Sequence, residues 1–220
     1  GSFTGAELLH REHGIPVAGI PGTIDNDLPG TDRTLGFDTA LNTAVEAIDR
    51  IRDSASAHER LFLIEVMGRA SGMIALHTAI ACGAEAVLYP EAEDDTYEAL
   101  VTQLRAAWER GKRSSIVVVA EGDQEGGAVA VSERLKHDYG LDLRVAILGH
   151  IQRGGSPTAL DRIWGSRWGT EAVRRLVGGE SAFYLGTERG AMVCHPLERI
   201  RGPRPEPPKD LAALVRILSR

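Results

Sequence analysis

The sequence predicts an α/β protein in which mostly parallel sheets are covered by helices on both faces. Three observations lead there. Short apolar runs alternate with longer amphipathic ones along most of the 220 residues. The runs are apolar at successive positions rather than at every second one, as strands covered on both sides require. Four of the five runs lead straight into glycine-bearing turns with Asp, Arg, Glu or His, where open parallel sheets bind their ligands.

The elements follow in order. FTGAELLHREHG reads as a helix with no strand before it, and the preceding Gly1-Ser2 fits either a vector scar or truncation inside a Gly-Ser phosphate loop. His10 and His13 in HREH have metal-pair spacing on that helix, but an exposed polar face explains them more simply. IPVAGI (15–20) is the first strand. Residues 37–53 form a helix with Phe37, Leu41, Ala44, Val45, Ile48 and Ile51 on one stripe. LFLIEVM (61–67) is the second strand, and its Glu65 is either a functional carboxylate or, as preferred here, one paired in the core. A strand at 85–90 and a helix over 97–111, ending on Gly111 as C-cap, come next. Strands at 115–121 and 143–149 complete the set. RGPRPEPPKD (201–210) is a loosely ordered Pro-rich connector before a last helix near LAALVRILSR. No 20-to-50-residue repeat is present.

Composition narrows the function classes. At 43% hydrophobic and 25% charged, the chain can bury one large core or two small ones. Its net charge of −6 gives no global basic field for nucleic acid or an acidic membrane surface, so any bound anion needs a local cluster. Cys82 and Cys194 cannot build a disulfide framework, and no stretch resembles a membrane span or signal peptide. A cytoplasmic protein is expected. GxxxxGKS/T, GxSxG, HExxH and paired CxxC motifs are missing, which removes P-loop kinases, serine hydrolases, zincins and zinc ribbons.

The chemistry is expected at the turns, gathered at one edge of the sheet. PGTIDND (21–27) follows the first strand, GRASG (68–72) the second, GDQEGG (122–127) the run ending at 121, and HIQRGGSP (150–157) the last. Asp25 and Asp27 are two residues apart, which in an extended segment points both carboxylates the same way. A divalent metal shared with phosphate oxygens, or arginines from another loop, would balance them, leaving one carboxylate to accept a proton from an attacking hydroxyl. An Asx-rich turn capping the next helix accounts for the same residues. Arg69 lies in a glycine-flanked turn opening a helix, and His150 and Arg153 precede Gly154-Gly155-Ser156-Pro157. Both stretches are anion-receptive, although loop arginines are usually solvated and Pro157 at a helix start is ordinary capping.

In this order PGTIDND, RIRDSASAHER, EVMGR and GHIQRGGSP, with the opening Gly-Ser, resemble the bacterial, ATP-dependent 6-phosphofructokinase family from residue 1 to about residue 200. The resemblance implies two Rossmann-like subdomains, with the first part of the fold missing. Residues 1–36 would be the remainder of the nucleotide-binding domain with the catalytic loop, 37–151 the sugar-phosphate domain, 152–200 a return to the first, and 201–220 the connector and last helix. The implied reaction moves a phosphoryl group from ATP, with Mg2+, to the 1-hydroxyl of D-fructose 6-phosphate, giving fructose 1,6-bisphosphate in glycolysis.

By the same resemblance Asp25 is the general base, Thr23 and Asp27 position sugar and metal–phosphate, and Arg69 clamps the transferring group. Met67, Gly68 and Glu121 line the sugar site. Arg60, Arg144, His150 and Arg153 gather the 6-phosphate, Arg60 and Arg144 across a subunit interface, which implies a homo-oligomer, a tetramer in bacterial members. Gly1, Ser2 and Gly5 match nucleotide-binding positions. Arg52, Glu85, Lys112 and Arg113 match an effector site for ADP or phosphoenolpyruvate, although Ser114 stands where a His can occur. Gly1 and Gly22 replace the Asp and Lys typical of pyrophosphate-using relatives, which favours ATP. The family's GGDGS loop is represented only by its final Gly-Ser, so its main metal aspartate lies before Gly1 and Asp27 is the metal candidate that remains. The expectation is a fragment, weak or inactive alone. The rival readings are a pyrophosphate-dependent phosphofructokinase and a non-catalytic sugar-phosphate or effector-binding subunit.

Overall fold

The computed structural model describes residues 1–56, 61–92, 96–111 and 114–219, with the side chains of 54–56 excepted. In chain order the elements are α1 (Ser2–His13), β1 (Ala18–Gly19), β2 (Gly22–Thr23), β3 (Leu35–Gly36), α2 (Phe37–Ser56), β4 (Leu61–Val66), α3 (Met73–Cys82), β5 (Ala86–Leu88) and α4 (Tyr97–Glu109). They continue with β6 (Ser115–Ala120), α5 (Gly127–Tyr139), β7 (Leu143–Ile147), α6 (Ala159–Val177), β8 (Phe183–Glu188), β9 (Ala191–Pro196) and α7 (Lys209–Leu218). Two compact units result: Gly1–Thr39 with Ser156–Pro205, and Ala40–Gly155 with Glu206–Arg220.

The larger unit holds a four-stranded, fully parallel sheet in the order β5-β6-β4-β7. Strand alternation divides its residues between two faces. Leu61, Leu63, Val117, Val119 and Leu143 pack with Leu100 and Leu104 of α4 and Leu135 of α5. Ile64 and Val118 take the opposite face, and α3 packs on β5 and β6 and on α7. Leu63, Ile64, Val117 and Val118 are fully buried; burial of each such side chain stabilises by about 1.5–3 kcal/mol. The connection leaving β4 leads through α3 to β5 and that leaving β6 through α5 to β7, in opposite directions across the sheet. A doubly wound sheet opens a crevice at such a reversal, beside the carboxyl ends of β4 and β6.

The smaller unit carries a sheet in the order β1-β8-β9, with β1 parallel to β8 and β9 antiparallel to it. The hairpin β8–β9 turns on Arg189 and Gly190, both at positive φ (52° and 76°), the handedness that a two-residue hairpin needs. Trp164 and Trp168 of α6, with ring centroids 5.3 Å apart, cover Phe183 and Leu185. Asp161 secures the entry to α2: buried on α6, it accepts the Thr39 N–H at 3.0 Å and the Thr39 hydroxyl.

Local expectations meet the structure in detail. The predicted strand at 15–20 pairs only at Ala18–Gly19, where Pro16 lacks a donor and a Cβ on Gly19 would strike Phe3 and Tyr184 within 2.9 Å. α4 stops at Glu109, and Gly111 (φ 84°) donates its N–H to the Trp108 carbonyl. Glu65 is paired: its Oε2 accepts the Ala128 N–H at 2.9 Å, placing a carboxylate at the start of α5. His10 uses its ring on the Ile15 carbonyl and Ser181 hydroxyl rather than on His13.

Candidate active-site loops

The expected turns leave two different sheets, not one edge. PGTIDND follows β1 in the smaller unit; the turns after β4, β6 and β7 belong to the larger. The single-edge expectation failed because β1 and β4 look alike as apolar runs, and only pairing partners separate them.

In the PGTIDND loop the backbone is not simply extended. Asn26, between the two aspartates, sits at φ 50°, so alternation does not set the carboxylate directions and a left-handed residue does. Side chains over-determine that strained position. Asn26 Oδ1 accepts the Thr34 hydroxyl at 3.2 Å, and its Nδ2 donates to the Asp32 carbonyl at 3.2 Å. The Thr34 hydroxyl also donates to the Thr23 carbonyl at 2.6 Å, while Thr23 Oγ1 accepts the Asp25 N–H at 3.2 Å. Asp25 is buried; Asp27 is partly exposed, with Arg204 Nε 3.6 Å from its carboxylate. Gly22 is exposed, and a Cβ there would approach only the Ile20 carbonyl, at 4.0 Å. Gly1, Ser2 and Gly5 are exposed on the first turn of α1.

The MGR turn after β4 is held from three directions. Glu121 Oε1, just beyond β6, accepts the N–H groups of Gly68 at 3.2 Å and Arg69 at 2.7 Å. Gln152 Oε1, from the turn after β7, accepts the Met67 N–H at 2.8 Å. Gly122 passes so close that a Cβ would lie 1.8 Å from the Arg69 carbonyl oxygen. Between these anchors Arg69 is held at φ 53°, with its side chain at the surface. Non-glycine residues held in this region cost free energy and are frequent at functional sites. Nearby, burial raises the Asp123 carboxyl above its ordinary value, against the lowering effect of the Gly127 and Glu125 N–H groups.

His150 and Arg153 lie exposed on the 3₁₀ turn Gly149–Arg153 that contains Gln152, and neither has a hydrogen bond or ion pair among the described residues. Arg144, on β7, is exposed and paired with Asp142 at 2.9 Å. The structure thus brings Met67, Gly68, Arg69 and Glu121 into direct contact, with His150 and Arg153 on the adjoining turn; Thr23, Asp25 and Asp27 form a separate group in the other unit. Glu85 is buried and accepts the Ile116 N–H, while Arg52 donates to the Cys82 carbonyl. Arg60, Lys112 and Arg113 lie outside the described residues. Sequence reasoning missed Gln152 and Gly122, whose roles exist only through contacts between turns. Their one visible signal was a place inside the glycine-rich stretches after β6 and β7.

Among the described residues no three His, Cys, Asp or Glu gather into a metal site. Asp27, partly exposed with Arg204 at 3.6 Å, offers one carboxylate, and one is enough for Mg2+ that is otherwise held by phosphate oxygens and water. No helix among the described residues is long and apolar enough to cross a membrane.

A family model described as Phosphofructokinase matches residues 1–176. The chain belongs to the phosphofructokinase family. Within it, the chain is 52% identical over 219 residues to ATP-dependent 6-phosphofructokinase 1 of Thermus thermophilus, covering 100% of this chain and 68% of that relative. It is 50% identical over 200 residues to the ATP-dependent 6-phosphofructokinase of Bacillus subtilis, covering 91% and 61%. Both of these relatives are bacterial, ATP-dependent enzymes. Among solved structures, phosphofructokinase from Saccharomyces cerevisiae superposes with a TM-score of 0.79 at 32% identity, covering 90% of this chain and 29% of that one. A pyrophosphate-dependent phosphofructokinase from Nitrosospira multiformis gives a TM-score of 0.83 at 23% identity, covering 97% and 65%. That last likeness establishes the phosphofructokinase fold alone.

Proposed function

We propose that the protein carrying this chain transfers the terminal phosphoryl group of ATP to the 1-hydroxyl of D-fructose 6-phosphate. The observation that carries the reading is the MGR turn, in which Glu121 and Gln152 fix three successive N–H groups and hold Arg69 in a left-handed conformation. Such a fixed cationic turn suits phosphoryl transfer, where catalysis is largely positioning and charge stabilisation.

In this reading the Asp25 carboxylate takes the proton from the sugar 1-hydroxyl as that oxygen bonds to the γ-phosphorus and the bond to the leaving ADP oxygen breaks. Thr23 fixes the Asp25 backbone, and Asp27 would help to hold the metal–phosphate. Mg2+ bound with ATP would neutralise charge on the phosphate oxygens. Arg69 stabilises the negative charge of the transferring group. Met67, Gly68 and Glu121 contact the sugar; His150 and Arg153, exposed on one short turn, bind its 6-phosphate with Arg144 and Arg60. Gly1, Ser2 and Gly5 contact the nucleotide.

The open space at Gly22 supports ATP as donor. Exposed Arg144 fits a role toward another subunit and hence a homo-oligomer. Arg52, Glu85, Lys112 and Arg113 are carried as effector ligands for ADP or phosphoenolpyruvate, with the hydrogen bond from Glu85 to strand backbone also giving it a structural role. The test supplies the protein with Mg2+, fructose 6-phosphate and either ATP or pyrophosphate. Fructose 1,6-bisphosphate should form with ATP; formation with pyrophosphate alone would overturn the donor assignment, and formation with neither would overturn the reaction.

A further inference from the structure

Gln152 is an apolar-looking position occupied by an amide. It is 1% exposed, on the 3₁₀ turn that also carries His150 and Arg153, and its side chain crosses to the turn after β4. Because Met67 N–H can only donate, the amide oxygen must face it, which leaves Nε2 on the other side. That nitrogen is buried and has no hydrogen-bond partner among the described residues. The amide oxygen thus links the two turns through one buried hydrogen bond. Met67 lies just past the end of β4, where the strand ladder no longer fixes the backbone, and the next two residues are Gly68 and Arg69.

We propose that Gln152 is a positioning residue that ties the turn carrying His150 and Arg153 to the turn carrying Arg69, so that the two keep one spacing during phosphoryl transfer. The proposal rests on the phosphoryl-transfer reading above. Gln152 touches no reacting atom in this scheme; it acts through the Met67 backbone. Glu121 fixes the other two amides of the turn, and Gly122 closes its far side, so loss of Gln152 loosens the turn at its β4 end without releasing it altogether.

The experiment compares Gln152→Met, which keeps length but removes the acceptor, with Gln152→Glu, which keeps an acceptor at the same reach. Amide hydrogen exchange is read at Met67 against Leu63, inside β4, together with turnover, apparent sugar affinity and thermal midpoint. In Gln152→Met, Met67 should exchange at least tenfold faster while Leu63 is unchanged. Turnover should fall about tenfold while sugar KM rises by clearly less, because His150 and Arg153 keep the 6-phosphate although Met67 and Gly68 loosen. The thermal midpoint should fall by only a few degrees, as expected for the loss of one buried hydrogen bond at the Met67 N–H. Gln152→Glu should recover most of the lost turnover.

Unchanged Met67 exchange, or KM and turnover worsening together without rescue by Gln152→Glu, would overturn the proposal. A Gln152→Met protein that fails to fold would overturn it too, by assigning the residue to stability. If the wild-type protein showed no phosphoryl transfer, the functional reading would fail alone, and Met67 exchange would still decide whether the anchor exists.

Discussion

The Glu121 carboxylate accepts the backbone N–H of Arg69 at 2.7 Å, so a side chain leaving β6 sets the conformation of a residue leaving β4. The same oxygen accepts the Gly68 N–H at 3.2 Å. Two strands that are neighbours in the sheet but some fifty residues apart in sequence thereby present one turn with a defined shape.

Glu121→Ala should remove both bonds and release Arg69 from φ 53° toward ordinary backbone. A catalytic group displaced by about 1 Å can cost ~10²-fold in rate. Steady-state kinetics should show a fall in turnover of that order, with Glu121→Gln, which keeps one acceptor, much closer to wild type.

Gly122→Ala tests the close approach. Its Cβ would meet backbone, the Arg69 carbonyl at 1.8 Å, and backbone cannot rotate away as a side-chain tip can. Overpacking of this kind costs about 1–3 kcal/mol. Denaturant unfolding should show a loss in that range, accompanied by weakened turnover.

Asp161→Ala should destabilise the smaller unit. The carboxylate is buried and accepts both the Thr39 N–H and the Thr39 hydroxyl, so its removal strands donors at the start of α2. Leaving a buried donor unsatisfied costs about 1–3 kcal/mol. Urea denaturation should report that loss, while Thr39→Val, which removes the hydroxyl alone, should lose less.

How much of this was legible beforehand differs by element. The runs at 61–67, 115–121 and 143–149 are rich in Leu, Ile and Val, and their strands are β4, β6 and β7, the last of them covered less fully, with Arg144 and Ile147 exposed. The hairpin β8–β9 was not anticipated: FYLGTE and AMVCHP mix small and polar residues, and an Arg-Gly turn is a weak signal beside Asn-Gly. The turns were legible as polar and glycine-rich, but their anchors were not. Gln152 and Gly122 depend on which strands become neighbours, a fact absent from local composition. The spacing of Asp25 and Asp27 misled because Asn26 leaves the extended region.

Alkaline pH should weaken the fold through Cys82. Burial, and then the charge of Asp49, push its thiol up to about 11 from 9.0, against the lowering effect of Arg52. The neutral thiol is therefore favoured in the folded state. Its stabilising effect is complete below pH 9, where the unfolded thiol also keeps its proton, and declines as pH rises from about 9 toward 11. The difference in unfolding free energy between wild type and Cys82→Ala, followed across that window, should shrink as pH rises.

The central claim is that Asp25 accepts the proton of the sugar hydroxyl, and Asp25→Asn tests it most directly because the amide keeps the shape of the PGTIDND loop without the basic oxygen. Turnover of fructose 6-phosphate with ATP and Mg2+ should fall by ~10²- to 10⁴-fold, the contribution of a general base, while sugar-phosphate affinity measured by calorimetry stays within a few-fold. Turnover equal to that of wild type would contradict the account.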